Sequence, residues 1–431
     1  MDYPGSLDYL DELAALGVKV GLEHTRHLAR RMGDPQAAHP SIIVGGTNGK
    51  GSTSSFLARA LKAAGYRVGL YTSPHLVDVR ERIRVDGEMI GEGDFAGGMT
   101  RVREESLAAL AAGELALPPT YFEALTLLAF LHFRQAGVDA AVLEVGLGGR
   151  LDCTNVAEPL VSIVTNISQD HEDYLGVGLE NIAREKAGIF RPGVPVFTAA
   201  REGVPLATLC TIAEATGTPL HPASQCSVRV GPDSWRLSCG DRAIELPLPA
   251  LKGRHQIANA ALAVRACWAL GDMGWTISDD AIREGIRTAR WPGRLEQIGA
   301  APDLYLDGAH NPEGCEALAE FVKGLPQGRR ALVFAAMRDK PVEAMLRPLL
   351  PLVGAMWATS VPMPRCMSPE DLAAHAGDGV RQAESPLDAL REAMEWAGPD
   401  GVVIAAGSLY LVGFLKSCQS GALSRSWGSG L

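Results

Sequence analysis

The residues best suited to chemistry lie in one glycine-rich stretch, SIIVGGTNGKGSTSSFLARAL, from Ser41 to Leu61. An apolar run leads into a loop that carries Lys50, Ser52 and glycines at positions 45, 46, 49 and 51, and a segment of helical period follows. Such a loop brings backbone N–H groups against phosphate oxygens, Lys50 adds a positive charge, and a helix N-terminus adds a partial one. The Ser52 hydroxyl would face a magnesium ion. The stretch predicts a strand, a phosphate-binding loop and a helix.

Gly51 separates Lys50 from Ser52, whereas the commonest phosphate-loop motif places the lysine and the serine side by side. The alternative interpretation is a glycine-rich turn that binds no ligand.

Three further polar residues come directly after predicted strands. Ser73 follows Val68–Tyr71, Glu144 follows Ala140–Leu143, and His171 ends the segment LVSIVTNISQDH. Ligands collect at the carboxyl ends of the strands of a parallel sheet. We therefore expect these three side chains to lie beside the phosphate loop.

Glu144 interrupts an apolar run that is typical of a strand buried on both faces. A buried carboxylate is costly without a positive partner, and in a phosphate-loop protein that partner is usually magnesium. The alternative is a structural salt bridge to Arg150. The glycines at 146, 148 and 149 permit a sharp turn. They do not form a dinucleotide fingerprint, which needs GxGxxG at the start of a helix.

Three other polar residues have competing interpretations. A lone histidine is more often a satisfied surface or core group than a ligand, but the position of His171 after a strand favours a ligand. Lys186, in the helix of ENIAREKAGIF, is expected from its pattern to be an exposed helical lysine. Asn259 lies among small residues in the helix LKGRHQIANAALAVRAC. It either hydrogen-bonds a base or phosphate or lies at a buried helix crossing.

Length and element pattern predict two α/β domains. The chain has 431 residues, more than one hydrophobic core usually serves. We predict that residues 1–296 form a large phosphate-loop domain with a mostly parallel sheet, N-terminal amphipathic helices and an antiparallel segment at residues 226–248. The linker is predicted at RWPGRLEQIG, Arg290–Gly299. Residues 297–431 alternate strands with helices, which predicts a smaller, doubly wound, Rossmann-like α/β domain whose tail SGALSRSWGSGL is frayed.

Composition narrows the class of protein. Hydrophobic residues make up 47% and charged residues 21% of the chain, as in soluble globular proteins. The net charge of −10, with no long basic block, argues against a nucleic-acid partner. The eight cysteines are scattered without CxxC pairs, so we expect reduced thiols in a cytoplasm and no zinc site. The N-terminus is acidic where a signal peptide is basic, and no apolar run approaches about 18 residues. We therefore expect neither export nor membrane insertion.

Eight motifs occur in order over nearly the whole chain: GTNGKGS at 46–52, TSPHL at 72–76, TYFE at 120–123, EVGLGGRLDCTN at 144–155, DHEDYLG at 170–176, REKAGIF at 184–190, PGRLE at 292–296 and LDGAHNP at 306–312. In these motifs the chain resembles folylpolyglutamate synthases, including bacterial bifunctional dihydrofolate synthases, which belong to the Mur ligase superfamily. The resemblance implies that ATP phosphorylates a substrate carboxylate and that the amine of L-glutamate attacks the acyl phosphate to form an amide. The implied acceptors are dihydropteroate, reduced folates or both. Catalysis would rest on positioning and charge neutralisation.

The resemblance also implies roles for single residues. The implied ATP-binding residues are Gly49, Lys50, Gly51, Ser52, Asn259, Arg294 and Asp307. The implied magnesium ligands are Ser73, Glu144 and His171. Lys186 matches a lysine that the family carries in carbamylated form. The carbamate would bind a second magnesium ion. This implied role replaces the interpretation of Lys186 as an exposed lysine. The implied catalytic residues are Lys50, Lys186, His171 and His310, the last one near the incoming glutamate.

Three segments match family positions that contact dihydropteroate. Their residues are Gly21, Leu22, Glu23, His24, Thr120, Tyr121, Phe122, Glu123, Leu151, Asp152 and Cys153. Cys153 departs from the alanine or serine expected there, which bears on selectivity more than on activity. The competing hypotheses are a muramyl-peptide-type Mur ligase, disfavoured by GLGGRLDCTN and TYFE, and a switch or motor ATPase. Family members are commonly monomers, and we expect a monomer here.

Overall fold

The computed structural model describes residues 1–15, 17 and 21–420, which form fifteen α-helices and seventeen β-strands in three sheets. The helices are α1 Tyr3–Ala15, α2 Glu23–Arg31, α3 Lys50–Ala63, α4 Glu92–Ala111, α5 Tyr121–Ala136, α6 Glu172–Leu175, α7 Leu179–Lys186, α8 Val204–Thr216, α9 His255–Asp272, α10 Asp279–Thr288, α11 Pro312–Lys323, α12 Val342–Leu346, α13 Pro369–Ala376, α14 Pro386–Ala397 and α15 Leu409–Ser420. The strands are β1 Ser41–Gly45, β2 Val68–Tyr71, β3 Ile83–Val85, β4 Glu88–Met89, β5 Ala140–Glu144, β6 Pro159–Val164, β7 Val196–Thr198, β8 Leu220–Pro222, β9 Cys226–Val230, β10 Ser234–Cys239, β11 Arg242–Pro247, β12 Glu296–Gly299, β13 Asp303–Leu306, β14 Arg330–Phe334, β15 Ala355–Ala358, β16 Arg381–Gln382 and β17 Val402–Ala406.

The first sheet has eight strands in the order β4-β3-β2-β5-β1-β6-β7-β8. From β2 to β8 every neighbouring pair is parallel, and β3 and β4 add an antiparallel edge. The strand β1 is buried along its whole length, with Ile43 in the core beneath α5 and Ile42 and Val44 in the core beneath α3 and α9. Helices on both faces explain why its sequence is a continuous apolar run. The predicted mostly parallel sheet is confirmed.

The second sheet is a small antiparallel one, in the order β11-β10-β9. Its inner face presents Trp235 and Leu237 to the core around α9. Cys226 and Cys239 lie opposite each other in the register of β9 and β10 and form a disulfide. The expectation that every thiol is reduced was therefore wrong for this pair, because a hairpin brings together two cysteines whose spacing in the sequence has no regular motif.

The third sheet has the order β12-β13-β17-β14-β15-β16, parallel except for β12. Helices α11, α12 and α13 cover one face, and α14 and α15 cover the other. This is the predicted doubly wound α/β arrangement. We call the part of the chain that carries the first two sheets the first lobe, and the part that carries the third sheet the second lobe.

The boundary at residues 296/297 stays a prediction, and it falls within β12. All of the predicted frayed tail after Ser420 lies outside the described residues. In the part of the chain that the structure describes, no helix combines the length and the apolar character needed to cross a bilayer.

Candidate active site

The phosphate loop lies between the end of β1 and the start of α3, where sequence analysis placed it. Gly49 precedes the helix with φ +83°, and a Cβ at this position would come within 3.0 Å of the Asn259 amide. Asn259 therefore lies directly against the loop. The Nζ atom of Lys50 donates to the carbonyl oxygens of Gly46 and Thr47, at 3.2 and 2.9 Å. Among the described residues, no side chain caps the first turn of α3, so its N–H groups remain suited to a phosphate.

The segment after β6 holds the phosphate loop from its side. Thr47 N–H donates to the Asn166 carbonyl at 2.9 Å, and Asn48 N–H donates to Asn166 Oδ1 at 2.7 Å. The Thr165 hydroxyl donates to the Asn48 carbonyl at 2.6 Å. These bonds fix the backbone of the loop through contacts within the protein.

Ser73 and Glu144 meet at the carboxyl edge of the first sheet. Ser73 N–H donates to Glu144 Oε2 at 3.2 Å, and Glu144 is 4% exposed. Burial raises the pKa of Glu144 to about 7, although Lys50 and the Ser73 N–H act in the opposite direction. The alternative salt bridge to Arg150 is wrong, because Arg150 pairs with Glu185 at 2.8 Å. Among the described residues, Glu144 has no ion-pair partner.

His171 lies near this edge, but its ion-pair partner is Asp170 and not Ser73 or Glu144. Its Nε2 is 3.8 Å from Asp170 Oδ2, and its backbone has φ +53°, a region that non-glycine residues seldom adopt. Burial lowers the pKa of His171 to about 4 against the opposing charge of Asp170, and Lys50 adds to the lowering. In the described part of the chain, no hydrogen bond or ion pair joins it to Ser73 or Glu144, and no cluster of three His, Cys, Asp or Glu side chains could hold a metal ion. The structure thus brings together two of the three predicted metal ligands.

Lys186 is buried, at 5% exposure, so its interpretation as an exposed helical lysine is wrong. Its Nζ donates to the Gly46 carbonyl at 2.8 Å, beside the Nζ of Lys50 on the same oxygen. Burial and the charge of Lys50 lower the pKa of Lys186 to about 7. Gly149 allows the loop after β5 to approach, because a Cβ there would lie 2.9 Å from the Lys186 carbonyl.

A buried ion pair connects the two lobes. The Nζ atom of Lys340 donates to Asp170 Oδ1 at 2.8 Å, and both side chains are at most 10% exposed. His310 lies 3.8 Å from the same carboxylate, and its Nδ1 contacts the Gly308 carbonyl at 2.7 Å. Burial alone would raise the pKa of Asp170, but His310, His171 and Lys340 together hold it well below its ordinary value. His310 thus faces the first lobe from the second.

Glu313, which sequence analysis missed, joins α11 to the phosphate loop. Its Oε2 accepts from Asn48 Nδ2 at 2.9 Å and also from Asn166 Nδ2 and Ser168 Oγ. Its Oε1 lies 3.4 Å from the guanidinium Nη2 of Arg201. The only sequence signal was its position directly after the motif LDGAHNP. One carboxylate of the second lobe therefore holds two side chains that shape the loop.

Arg294 and Asp307 lie where the linker meets the second lobe. The two carboxylate oxygens of Asp307 accept the N–H groups of Leu295 and Ala309, both at 2.8 Å. Because Leu295 has φ +47°, this carboxylate stabilises an unusual linker conformation. Arg294 donates to the Gly293 carbonyl at 3.3 Å and is half-buried.

The three segments expected to contact a pterin converge on one side of the sheet. The first, residues 21–24, leads into α2. The second, residues 120–123, begins α5, where the predicted capping box of Thr120 and Glu123 is present. Thr25 donates to Glu123 Oε1 at 3.1 Å, which ties α2 to α5. Both helices pack against the turn that starts at Cys153.

Asp152 shapes the third of these segments, residues 151–153. Its Oδ2 accepts the N–H groups of Gly146 and Leu147 at 2.9 and 3.1 Å, and its Oδ1 accepts from Thr154. Burial and the charges of Asp152 and Glu123 raise the pKa of the Cys153 thiol. Cys153 is therefore a small neutral group at this surface, not a nucleophile.

Two family models match the chain, the Mur ligase middle domain at residues 44–196 and the Mur ligase glutamate ligase domain at residues 293–409. The chain is 36% identical over 427 residues to the dihydrofolate synthase/folylpolyglutamate synthase of Bacillus subtilis, covering 96% of this chain and 98% of that one. Its structure is similar to E. coli FolC in complex with DHPP and ADP, with a TM-score of 0.90, 34% identity and coverage of 98% and 99%. It is also similar to a bifunctional folylpolyglutamate synthase/dihydrofolate synthase with Mn, AMPPNP and L-glutamate bound, with a TM-score of 0.86, 34% identity and coverage of 97% and 98%.

Proposed function

We propose a function for this chain on the ground that it belongs to the folylpolyglutamate synthase/dihydrofolate synthase family of Mur ligases. It is an ATP-dependent ligase of folate metabolism that joins L-glutamate to the carboxylate of dihydropteroate, of reduced folates or of both. The observation that carries the site assignment is Glu144, a buried carboxylate without an ion-pair partner among the described residues, beside a phosphate loop.

The reaction takes two steps because the acceptor carboxylate must be activated before an amine can attack it. A carboxylate is a poor electrophile, so its oxygen attacks the γ-phosphorus of ATP, ADP leaves, and an acyl phosphate forms. The amine of glutamate then attacks the acyl carbon, phosphate leaves with the bonding electrons, and the amine proton is lost to solvent. Positioning and neutralisation of charge supply the catalysis in such a phosphoryl transfer. Here the first-turn N–H groups of α3 and Lys50 would hold the phosphates.

Two donors that lie together at the sheet edge, the Glu144 carboxylate and the Ser73 hydroxyl, suit a divalent cation, since oxygen ligands with water are what Mg²⁺ prefers. The neutral ring of His171 would complete the set only by moving towards them. When bound, the cation would neutralise charge on the transferring phosphoryl group. We assign magnesium on the chemistry of this donor set.

Lys186 would hold a second cation after carbamylation. With its pKa lowered to about 7, this buried amine is about half neutral at pH 7 and largely neutral above it, and only the neutral amine reacts with CO₂. The product is an anion with two oxygen ligands, and it would remove the repulsion between Lys186 and Lys50. We therefore propose two magnesium sites that share the phosphate loop.

The other substrates would bind on either side of this edge. We propose that Asn259, Arg294 and Asp307 contact the nucleotide and that His310 lies near the incoming glutamate. The pterin would lie against residues 21–24, 120–123 and 151–153. A monomer and a cytoplasmic location remain predictions from the sequence.

The test is incorporation of labelled glutamate by the purified protein with ATP, magnesium and either dihydropteroate or tetrahydrofolate. We expect label in at least one product and phosphate release that needs both acceptor and glutamate. Phosphate release without either would instead support a switch or motor ATPase. Label in neither product would refute the folate assignment.

A further inference from the structure

Arg82 is a buried cation that forms no ion pair with any carboxylate in the part of the chain that the structure describes. It ends a short 3₁₀ turn, Val79–Arg82, that leads into β3, and it is 1% exposed. Among the described residues, its Nη1 has no hydrogen-bond partner and no carboxylate forms an ion pair with it. An uncompensated buried charge is costly, which indicates that this guanidinium is kept for a partner.

The contacts that Arg82 does make are all neutral. Its Nε donates to His75 Nδ1 at 2.9 Å, so this ring nitrogen carries no proton. Its guanidinium carbon lies 5.5 Å from the ring centre of Tyr121 and 5.9 Å from that of Phe122. These contacts orient the guanidinium and leave its charge unneutralised.

Arg82 also lies between the proposed magnesium site at Ser73 and the segment proposed to contact the pterin. Its carbonyl accepts Thr72 N–H at 2.9 Å, which fixes it beside Ser73 at the end of β2. The aromatic rings it contacts belong to the segment proposed to contact the pterin. An acceptor that spanned this segment and the phosphate loop would pass near Arg82.

We propose that Arg82 binds the carboxylate of the acceptor through Nη1 and holds it for phosphorylation. This inference rests on the proposed function and assigns a residue to the reacting end of the acceptor. A planar guanidinium suits this task, because it matches the geometry of a carboxylate and of the acyl phosphate that replaces it.

The first experiment measures what the carboxylate contributes to binding, with and without the arginine. Binding of dihydropteroate is compared with that of its analogue in which hydrogen replaces the carboxylate, in the presence of magnesium and AMPPNP. A hydrogen bond to a charged group predicts that wild type prefers dihydropteroate by about 10- to 100-fold. In Arg82→Gln this preference should fall to near unity, while affinity for the analogue stays within about threefold.

Arg265→Gln is the matched control. Arg265 is another buried arginine, 5% exposed, and it lies 4.9 Å from the ring centre of Phe197 in the first lobe. Its loss should leave the preference for dihydropteroate unchanged. If Arg82→Gln weakens both ligands equally, Arg82 acts only through the fold, and the proposal is overturned.

A second measurement does not depend on how the variant folds. A crystal structure of the wild-type protein with dihydropteroate and AMPPNP should place a carboxylate oxygen within hydrogen-bond distance of Arg82 Nη1. A carboxylate bound elsewhere would overturn the proposal. Label incorporation by the same preparation separates the two failures, because a wild type that ligates glutamate yet shows no preference for the carboxylate refutes the role of Arg82 alone.

Discussion

Lys186 should form a carbamate in the folded protein. Its pKa of about 7 means that about 90% of this amine is neutral at pH 8, against about 0.3% of a lysine with the ordinary value of 10.5. The reactive fraction is therefore raised about 300-fold. Below pH 7 the ammonium form dominates and cannot react, so the rate of carbamate formation should grow about tenfold from pH 6 to pH 8 at fixed dissolved CO₂, and the equilibrium carbamate signal should grow more steeply because each carbamate formed releases a proton.

The assay is ¹³C NMR of the protein in ¹³CO₂-enriched buffer, paired with ligase activity. We expect a carbamate resonance that is absent in Lys186→Ala and retained in Lys62→Ala, which removes an exposed lysine of the same lobe. Lys186→Ala should also lose at least about 100-fold in kcat, as expected when a group that holds charge in a phosphoryl transfer is removed. A spectrum without a Lys186-dependent resonance at pH 8, or full activity in Lys186→Ala, would refute this reasoning.

Three further predictions concern the phosphate loop and its neighbours. Lys50→Ala should abolish ligation with little change in the thermal unfolding temperature, since Lys50 is only partly buried, and turnover by this variant would contradict its phosphate role. Glu144→Gln should abolish magnesium-dependent ligation and yet stabilise the protein in EDTA at pH 8. The raised pKa means that ionising Glu144 costs the fold about 3 kcal/mol as pH rises from 4.5 to above 7, so urea unfolding should show a gap between variant and wild type at pH 8 that closes towards pH 5. Glu313→Ala should lower the free energy of unfolding by about 2 kcal/mol, because up to three donors lose a charged acceptor that water can partly replace. Glu316→Ala, on the same helix and exposed, should change the free energy of unfolding by less than about 0.5 kcal/mol. We call the contact of Glu313 with Asn48 the clasp, and equal effects of the two substitutions in calorimetry would argue against it.

Much of the fold could be predicted because its signals are local. The apolar run before Lys50 and the capping box at Thr120 depend only on neighbouring residues, and both are present. Polar residues at strand ends predicted correctly that Ser73 and Glu144 meet, since parallel strands share one edge.

The misses involve contacts between residues far apart in the chain. Helical period alone cannot show that Lys186 lies beneath the loop at Gly46, 140 residues away. The same holds for Glu313, whose partners belong to the other lobe, and for Cys226, whose partner depends on the register of a hairpin. A pattern of residue types reports which face of an element is buried but not what it is buried against.

The clasp between Glu313 and Asn48 has a thermodynamic consequence. A ligand of either lobe that favours the clasped arrangement shifts the population towards it, and so raises affinity at the other lobe. Linkage requires this effect to be reciprocal, so each ligand must change the dissociation constant of the other by the same factor. Cutting the clasp should weaken this coupling, while the ion pair between Lys340 and Asp170 still joins the lobes.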